Sequence, residues 1–102
     1  MTKGERAYLS RVAALGCIVC RDQHDAATPA EIHHLREHTG AGRRESHANA
    51  LPLCPVHHRQ GDGSPWFGGE LGYHVAPLQW EQRYGSQREM VERTQQEAGW
   101  KA

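Results

Sequence analysis

A small α+β domain held together by a metal cross-link is the fold class this sequence predicts, and three observations predict it. Only 37% of the 102 residues are apolar, a thin core for a domain whose size already limits how much surface it can bury. Two half-sites with the same spacing, Cys17-x-x-Cys20 and Cys54-x-x-His57, use all three cysteines of the chain. Short strand-like segments alternate with stretches of helical periodicity.

Taken in order, residues 5–15 read as a helix. Tyr8, Val12 and Leu15 fall on one stripe, alanine is plentiful, and Gly16 ends the run. Residues 17–20 read as a metal knuckle and residues 21–30 as a polar loop containing Pro29. Residues 31–35 form a short strand, residues 36–48 a long polar loop, and residues 49–53 a second strand whose Pro52 marks an edge or an end. Residues 54–60 open a helix with Pro55 in its first turn. Residues 61–72 are rich in breakers and read as a loop.

Residues 77–84 place Leu78, Trp80, Glu81 and Tyr84 around a short helix ending at Gly85. Ser86, with Glu89 three residues on, starts another helix. Met90, Val91, Thr94 and Ala98 form its inward face. The expectation is one domain over residues 1–102, with a zinc knuckle and ββα core at 17–60 and a helical C-terminal part at 76–98.

Twelve basic and twelve acidic residues cancel, so there is no global basic field, and contact with nucleic acid must come from a local patch. No apolar run approaches the roughly 20 residues of a membrane span, and the first ten residues carry no signal-peptide hydrophobic region. The expectation is a soluble protein of a reducing cytoplasm with no membrane partner.

Three thiolates and one imidazole, paired as Cys17/Cys20 and Cys54/His57, suit a closed tetrahedral structural zinc site. Such a site supplies on the order of 10 kcal/mol of folding free energy. His58 is an alternative to His57, since one residue separates them. A redox pair of Cys17 and Cys20 with a buried Cys54 is the competing reading, and it leaves the matched spacing a coincidence.

A second constellation consists of His33, His34, Asn49 and His58, in a chain with eight histidines. Adjacent strand residues point to opposite faces, so one of His33 and His34 faces a shared site directly. On a helix His57 and His58 diverge by about 100°, so one short segment can serve two metal sites.

These residues resemble a known family. The pattern IHHL followed by NALPLCPVHHR is similar to the motif of HNH (ββα-metal, His-Me finger) endonucleases, covering about residues 17–60. The resemblance implies His34 as general base, His33 and His58 as ligands of a catalytic divalent metal, and Asn49 as the supporting asparagine. It also implies products with a 5′-phosphate and a 3′-hydroxyl. A closer resemblance is to phage recombination-associated nucleases of the Ref type. It extends through Gly72-Tyr73-His74 and through Trp80-Glu81 and Tyr84-Gly85. That likeness implies His74 as a third ligand of the catalytic metal, and a recombinase filament as a partner beside DNA.

The chemistry suits these residue types. A neutral imidazole titrates near pH 7 and serves as a general base. Histidine ligands accept Mn²⁺, Ni²⁺ or Zn²⁺, whereas Mg²⁺ prefers oxygen; all four are candidates. Arg36, Arg43, Arg44 and Arg59 flank the cluster and are expected to neutralise phosphate. His47 approaches the phosphate or packs; His24 and His38 read as loop residues. Trp66 and Phe67 plug the core or wedge into DNA. One site per chain favours nicking by a monomer, and a homodimer would permit double-strand cuts. Competing readings are a non-catalytic zinc-stabilised module binding DNA or protein, and a zinc deaminase, whose His-x-Glu element is missing.

Overall fold

The computed structural model describes residues 1–35, 47–61 and 69–100. The element order is α1 (Lys3–Ala14), α2 (Ile18–His24), β1 (Glu31–His34), β2 (Ala50–Leu53), a π-turn (Val56–Gln60), α3 (Pro77–Tyr84) and α4 (Gln87–Ala98). Helix α1 starts two residues before the expected boundary because Thr2 caps it. The Thr2 hydroxyl accepts from Glu5 N at 3.0 Å and the Glu5 carboxylate accepts from Thr2 N at 2.8 Å, a reciprocal capping box. The predicted stripe is inward: Tyr8 and Val12 are buried and pack with Ala98, Ile32 and Trp100. Arg11 Nε donates to Ala98 O at 2.8 Å and so satisfies a carbonyl at the C-terminus of α4.

Strands β1 and β2 pair antiparallel, with Glu31 opposite Leu53, Ile32 opposite Pro52, His33 opposite Leu51 and His34 opposite Ala50. Every residue of β2 is buried, because α1, α2 and α4 all pack against it. This is why a strand of Ala-Leu-Pro-Leu carries no polar alternation. The main core gathers Ile18, Val19, Leu51, Leu53, Leu71, Trp80, Met90 and Val91. Among the described residues, no helix is long and apolar enough to cross a membrane.

Two expectations are corrected. The stretch expected as a knuckle and polar loop contains helix α2, running to His24. A seven-residue helix is too short to show periodicity. It is held from outside its own sequence: Ile18 and Val19 enter the core, Arg93 pairs with Asp22 at 2.8 Å and Arg21 with Glu97 at 3.2 Å. The helix expected at 54–60 is a π-turn after Pro55, closed by a five-residue bond from Gly61 N to Val56 O at 2.7 Å. Such wider turns are rare and are frequently found at functional sites.

The C-terminal helices fall where expected. Helix α3 ends at Gly85, whose φ of 112° only glycine adopts readily. The Ser86 hydroxyl accepts from Glu89 N at the start of α4.

Candidate metal centres

The π-turn matters because the segment after the second loop lies directly on it. Tyr73 N donates to His57 O at 2.9 Å and His74 N to His58 O at 3.0 Å. The close approach requires Gly72, where an added Cβ would sit 2.8 Å from Gly61 N and 2.9 Å from Arg59 C. The Trp80 indole also donates to His57 O, at 2.9 Å. Two consecutive histidines are thus fixed by backbone bonds, with their rings sent to different clusters.

The first cluster is Cys17, Cys20, Cys54 and His57, all buried. Cys17 sits at the N-cap of α2 and Cys20 in its first turn, while Cys54 and His57 flank the start of the π-turn. His57 Nδ1 lies 3.2 Å from Cys54 Sγ, 3.5 Å from Cys20 Sγ and 3.7 Å from Cys17 Sγ. The Cys20 and Cys54 sulfurs are 3.8 Å apart. A tetrahedron with zinc–sulfur bonds of about 2.3 Å and zinc–nitrogen bonds of about 2.0 Å has sulfur–sulfur edges of about 3.8 Å and sulfur–nitrogen edges of about 3.5 Å. The Cys20–Cys54 edge and the three edges to His57 lie within about 0.3 Å of those values, and the cluster can hold zinc. His57 therefore occupies the position for which His58 was the alternative.

Burial, with the neighbouring sulfurs adding to it, pushes the Cys17 thiol up to about 12. Burial likewise raises the Cys20 thiol, so the neutral form of both groups is favoured in the absence of a cation. No disulfide is present, and all three cysteines are free and buried.

Glu70 stands behind this cluster, 3.2 Å from His57 Nε2, outside hydrogen-bond alignment. Burial works to raise its carboxyl, but hydrogen bonds from Tyr84 and His24 and the nearby His57 ring outweigh it and hold it at about 2. His24, expected as a loop residue, ends α2 and meets Glu70 at 2.7 Å.

The second cluster is His33, His58 and His74, whose ligand atoms lie within 4.8 Å of one another. Strand alternation decides which of the paired histidines enters it. His33 is 1% exposed, with its ring 5.1 Å from that of His58 and 5.5 Å from that of His74. His58 Nε2 and His74 Nε2 are 3.2 Å apart, the spacing of two imidazoles sharing one ion with metal–nitrogen bonds of about 2.0 Å. Burial is graded: His33 is buried, His58 intermediate and His74 exposed. The cluster therefore opens to solvent on one side, unlike the first.

Two carboxylate or amide oxygens support the rings from behind. Glu31 Oε1 is 2.9 Å from His58 Nδ1, and Gln87 Oε1 is 3.1 Å from His33 Nε2. The Arg59 and His58 hydrogen bonds hold the Glu31 carboxyl at about 2, so it is a charged acceptor.

His34 lies on the other face of β1, with Nε2 3.3 Å from Nδ1 of His47. Asn49 sits where the strands begin to pair: its carbonyl accepts from Leu35 N at 2.8 Å. Gln95 Nε2 reaches Ala48 O at 3.0 Å and Asn49 Oδ1 at 3.5 Å. Arg59 is engaged by Glu31 through both Nε and a terminal nitrogen, at 3.0 and 2.9 Å, and its side chain is 51% exposed. Arg36, His38, Arg43, Arg44, Trp66 and Phe67 lie outside the described residues.

Sequence reasoning missed Glu31, Glu70 and Gln87. Glu31 was accessible to it, being two residues before His33 and hence on the same strand face. Glu70 and Gln87 carry no local signal, since each reaches its histidine across a long sequence separation.

None of the curated proteins compared matches the chain. A family model described as recombination enhancement, RecA-dependent nuclease matches residues 1–99, a span that includes every residue of both clusters. The chain belongs to this Ref-type family of RecA-dependent nucleases.

Proposed function

We propose that the chain acts as a metal-dependent DNA endonuclease of the HNH class, cutting DNA beside a RecA filament. Residues 1–102 work as one nuclease domain on this reading. The observation that carries it is the open three-imidazole cluster His33/His58/His74, whose His33 lies on the strand that also presents His34, within a nuclease family.

The donor set fits a divalent cation. The three rings converge without a carboxylate among them, and the two Nε2 atoms of His58 and His74 face each other at 3.2 Å. All-nitrogen donors favour Mn²⁺, Ni²⁺ or Zn²⁺ over Mg²⁺. A cation bound there would supply positive charge beside the scissile phosphate and the departing 3′-oxygen.

The chain's own groups do the rest. His34 takes the proton from the attacking water, and the His47 contact orients its ring. Asn49 keeps the β1–β2 junction in register through its carbonyl bond to Leu35, so His33 and His34 remain on opposite faces. Arg59 presents an exposed guanidinium for a phosphate, with Arg36, Arg43 and Arg44 as further contacts. The buried Cys₃His cluster is structural and holds zinc. DNA in a bacterial cytoplasm is the setting, with phage or mobile-element recombination as the context and a monomer or homodimer as the working form.

The test is plasmid cleavage by the purified chain with EDTA, Mg²⁺, Mn²⁺, Ni²⁺ or Zn²⁺, with and without a RecA filament, beside His34→Ala. Metal-dependent nicking or linearisation that the variant loses is the expected result. Failure to cut under every condition would remove the nuclease reading and favour a zinc-stabilised binding module.

A further inference from the structure

Gln87 is the first residue of α4, yet it is 3% exposed. A glutamine at a helix start normally points to solvent, so its burial needs a reason. Its side chain spans two residues of the candidate metal site. The amide oxygen is 3.1 Å from His33 Nε2, and the amide nitrogen donates to the Tyr73 hydroxyl at 3.0 Å. Its backbone N donates to Glu81 Oε2 at 2.9 Å, which locks the α3–α4 corner around it.

An amide oxygen only accepts. With the amide in this orientation, His33 carries its proton on Nε2 and the lone pair is on Nδ1. In a neutral imidazole the hydrogen bond made by one nitrogen decides what the other can ligate. The same amide also steadies Tyr73, whose neighbour His74 brings another ring to the cluster.

We propose that Gln87 is a positioning residue: it sets the tautomer of His33 so that Nδ1 is the ligand atom, and through Tyr73 it holds the segment carrying His74. This rests on the reading of His33, His58 and His74 as a divalent-metal site.

The experiment uses the full chain loaded with zinc at the cysteine cluster and titrated calorimetrically with Co²⁺. The variants are Gln87→Leu, Gln87→Glu, Tyr73→Phe and His33→Ala. A long-range proton–nitrogen NMR spectrum reports the His33 tautomer before cobalt is added. His33 is expected as the Nε2–H tautomer. Gln87→Leu should weaken Co²⁺ binding by about tenfold to a hundredfold with zinc content unchanged. Gln87→Glu, which keeps an acceptor oxygen, should stay close to the parent chain, and Tyr73→Phe should fall between.

An Nδ1–H tautomer in the parent chain overturns the proposal, even if Gln87→Leu fails to fold. So does a folded Gln87→Leu that binds Co²⁺ as tightly as the parent. If His33→Ala weakens Co²⁺ binding while Gln87→Leu does not, only the role of Gln87 falls. If His33→Ala also leaves binding unchanged, or the parent takes up no second ion, the three-histidine reading falls with it.

Discussion

The two histidine clusters share one turn of backbone and differ in what surrounds them. His57 and His58 are consecutive, yet one ring faces three buried sulfurs and the other faces two imidazoles near solvent. All four donors of the sulfur cluster are buried, and burial disfavours the charged forms of Cys17 and Cys20. The imidazole cluster is graded from buried His33 to exposed His74. A closed shell of four donors leaves no position for substrate, whereas three donors on an open side do. Local sequence places two candidate ligands side by side, and burial separates a closed donor set from an open one.

The comparison can be broken first at the sulfur side. Cys17→Ser or Cys54→Ser should abolish cooperative folding, because zinc held by these donors would supply on the order of 10 kcal/mol, comparable with the whole stability of a small domain. A sharp thermal melt by circular dichroism in zinc-free Cys54→Ser would show that this cluster is dispensable for the fold.

Next in size is the imidazole side. We expect His34→Ala to keep the melt and the zinc content while cleavage falls by about a hundredfold to ten-thousandfold. Undiminished plasmid cleavage by a folded His34→Ala would move the base elsewhere, with His47 the first alternative. His33→Ala and His74→Ala should both weaken the second metal and spare the zinc. The buried ligand should cost more than the exposed one, and calorimetry that ranks them the other way would contradict the graded-burial argument.

Smaller effects sharpen the contrast. Glu70→Gln removes the charge behind His57 and should lower zinc affinity by about tenfold in competition with a chelator. An unchanged affinity would leave Glu70 as a partner of His24 and Tyr84 alone. Arg59→Ala should weaken DNA binding evenly across sequences and reduce the salt slope by about one. A sequence-selective loss would mean that Arg59 reads bases.

Much of this was legible from spacing and periodicity. The matched Cys-x-x-Cys and Cys-x-x-His half-sites named four residues that meet in space. The apolar stripe of α1 and the inward face of α4 named their buried residues apart from Gln87. These features repeat along the chain at the pitch of the element that uses them, so they can be read without knowing what lies opposite. Helix α2 was not legible, because its seven residues are stabilised by Arg93, Glu97 and the cysteine cluster rather than by a pattern of their own. The π-turn was read as an ordinary helix, since nothing in Val56–Gln60 announces a five-residue bond.

By itself, then, the sequence determined the types of α1, the two strands, α3 and α4, the donor inventory and the alternation that keeps His33 and His34 apart. These depend on neighbours within a few residues. The tertiary structure alone decided that His74 is carried onto the π-turn by a backbone crossing at Gly72, and that Glu70 and Gln87 stand behind the histidines; it also closed the alternative of His58 among the sulfurs. Those choices depend on which backbones come within 3 Å of each other across tens of residues, and such contacts arise only when the core closes.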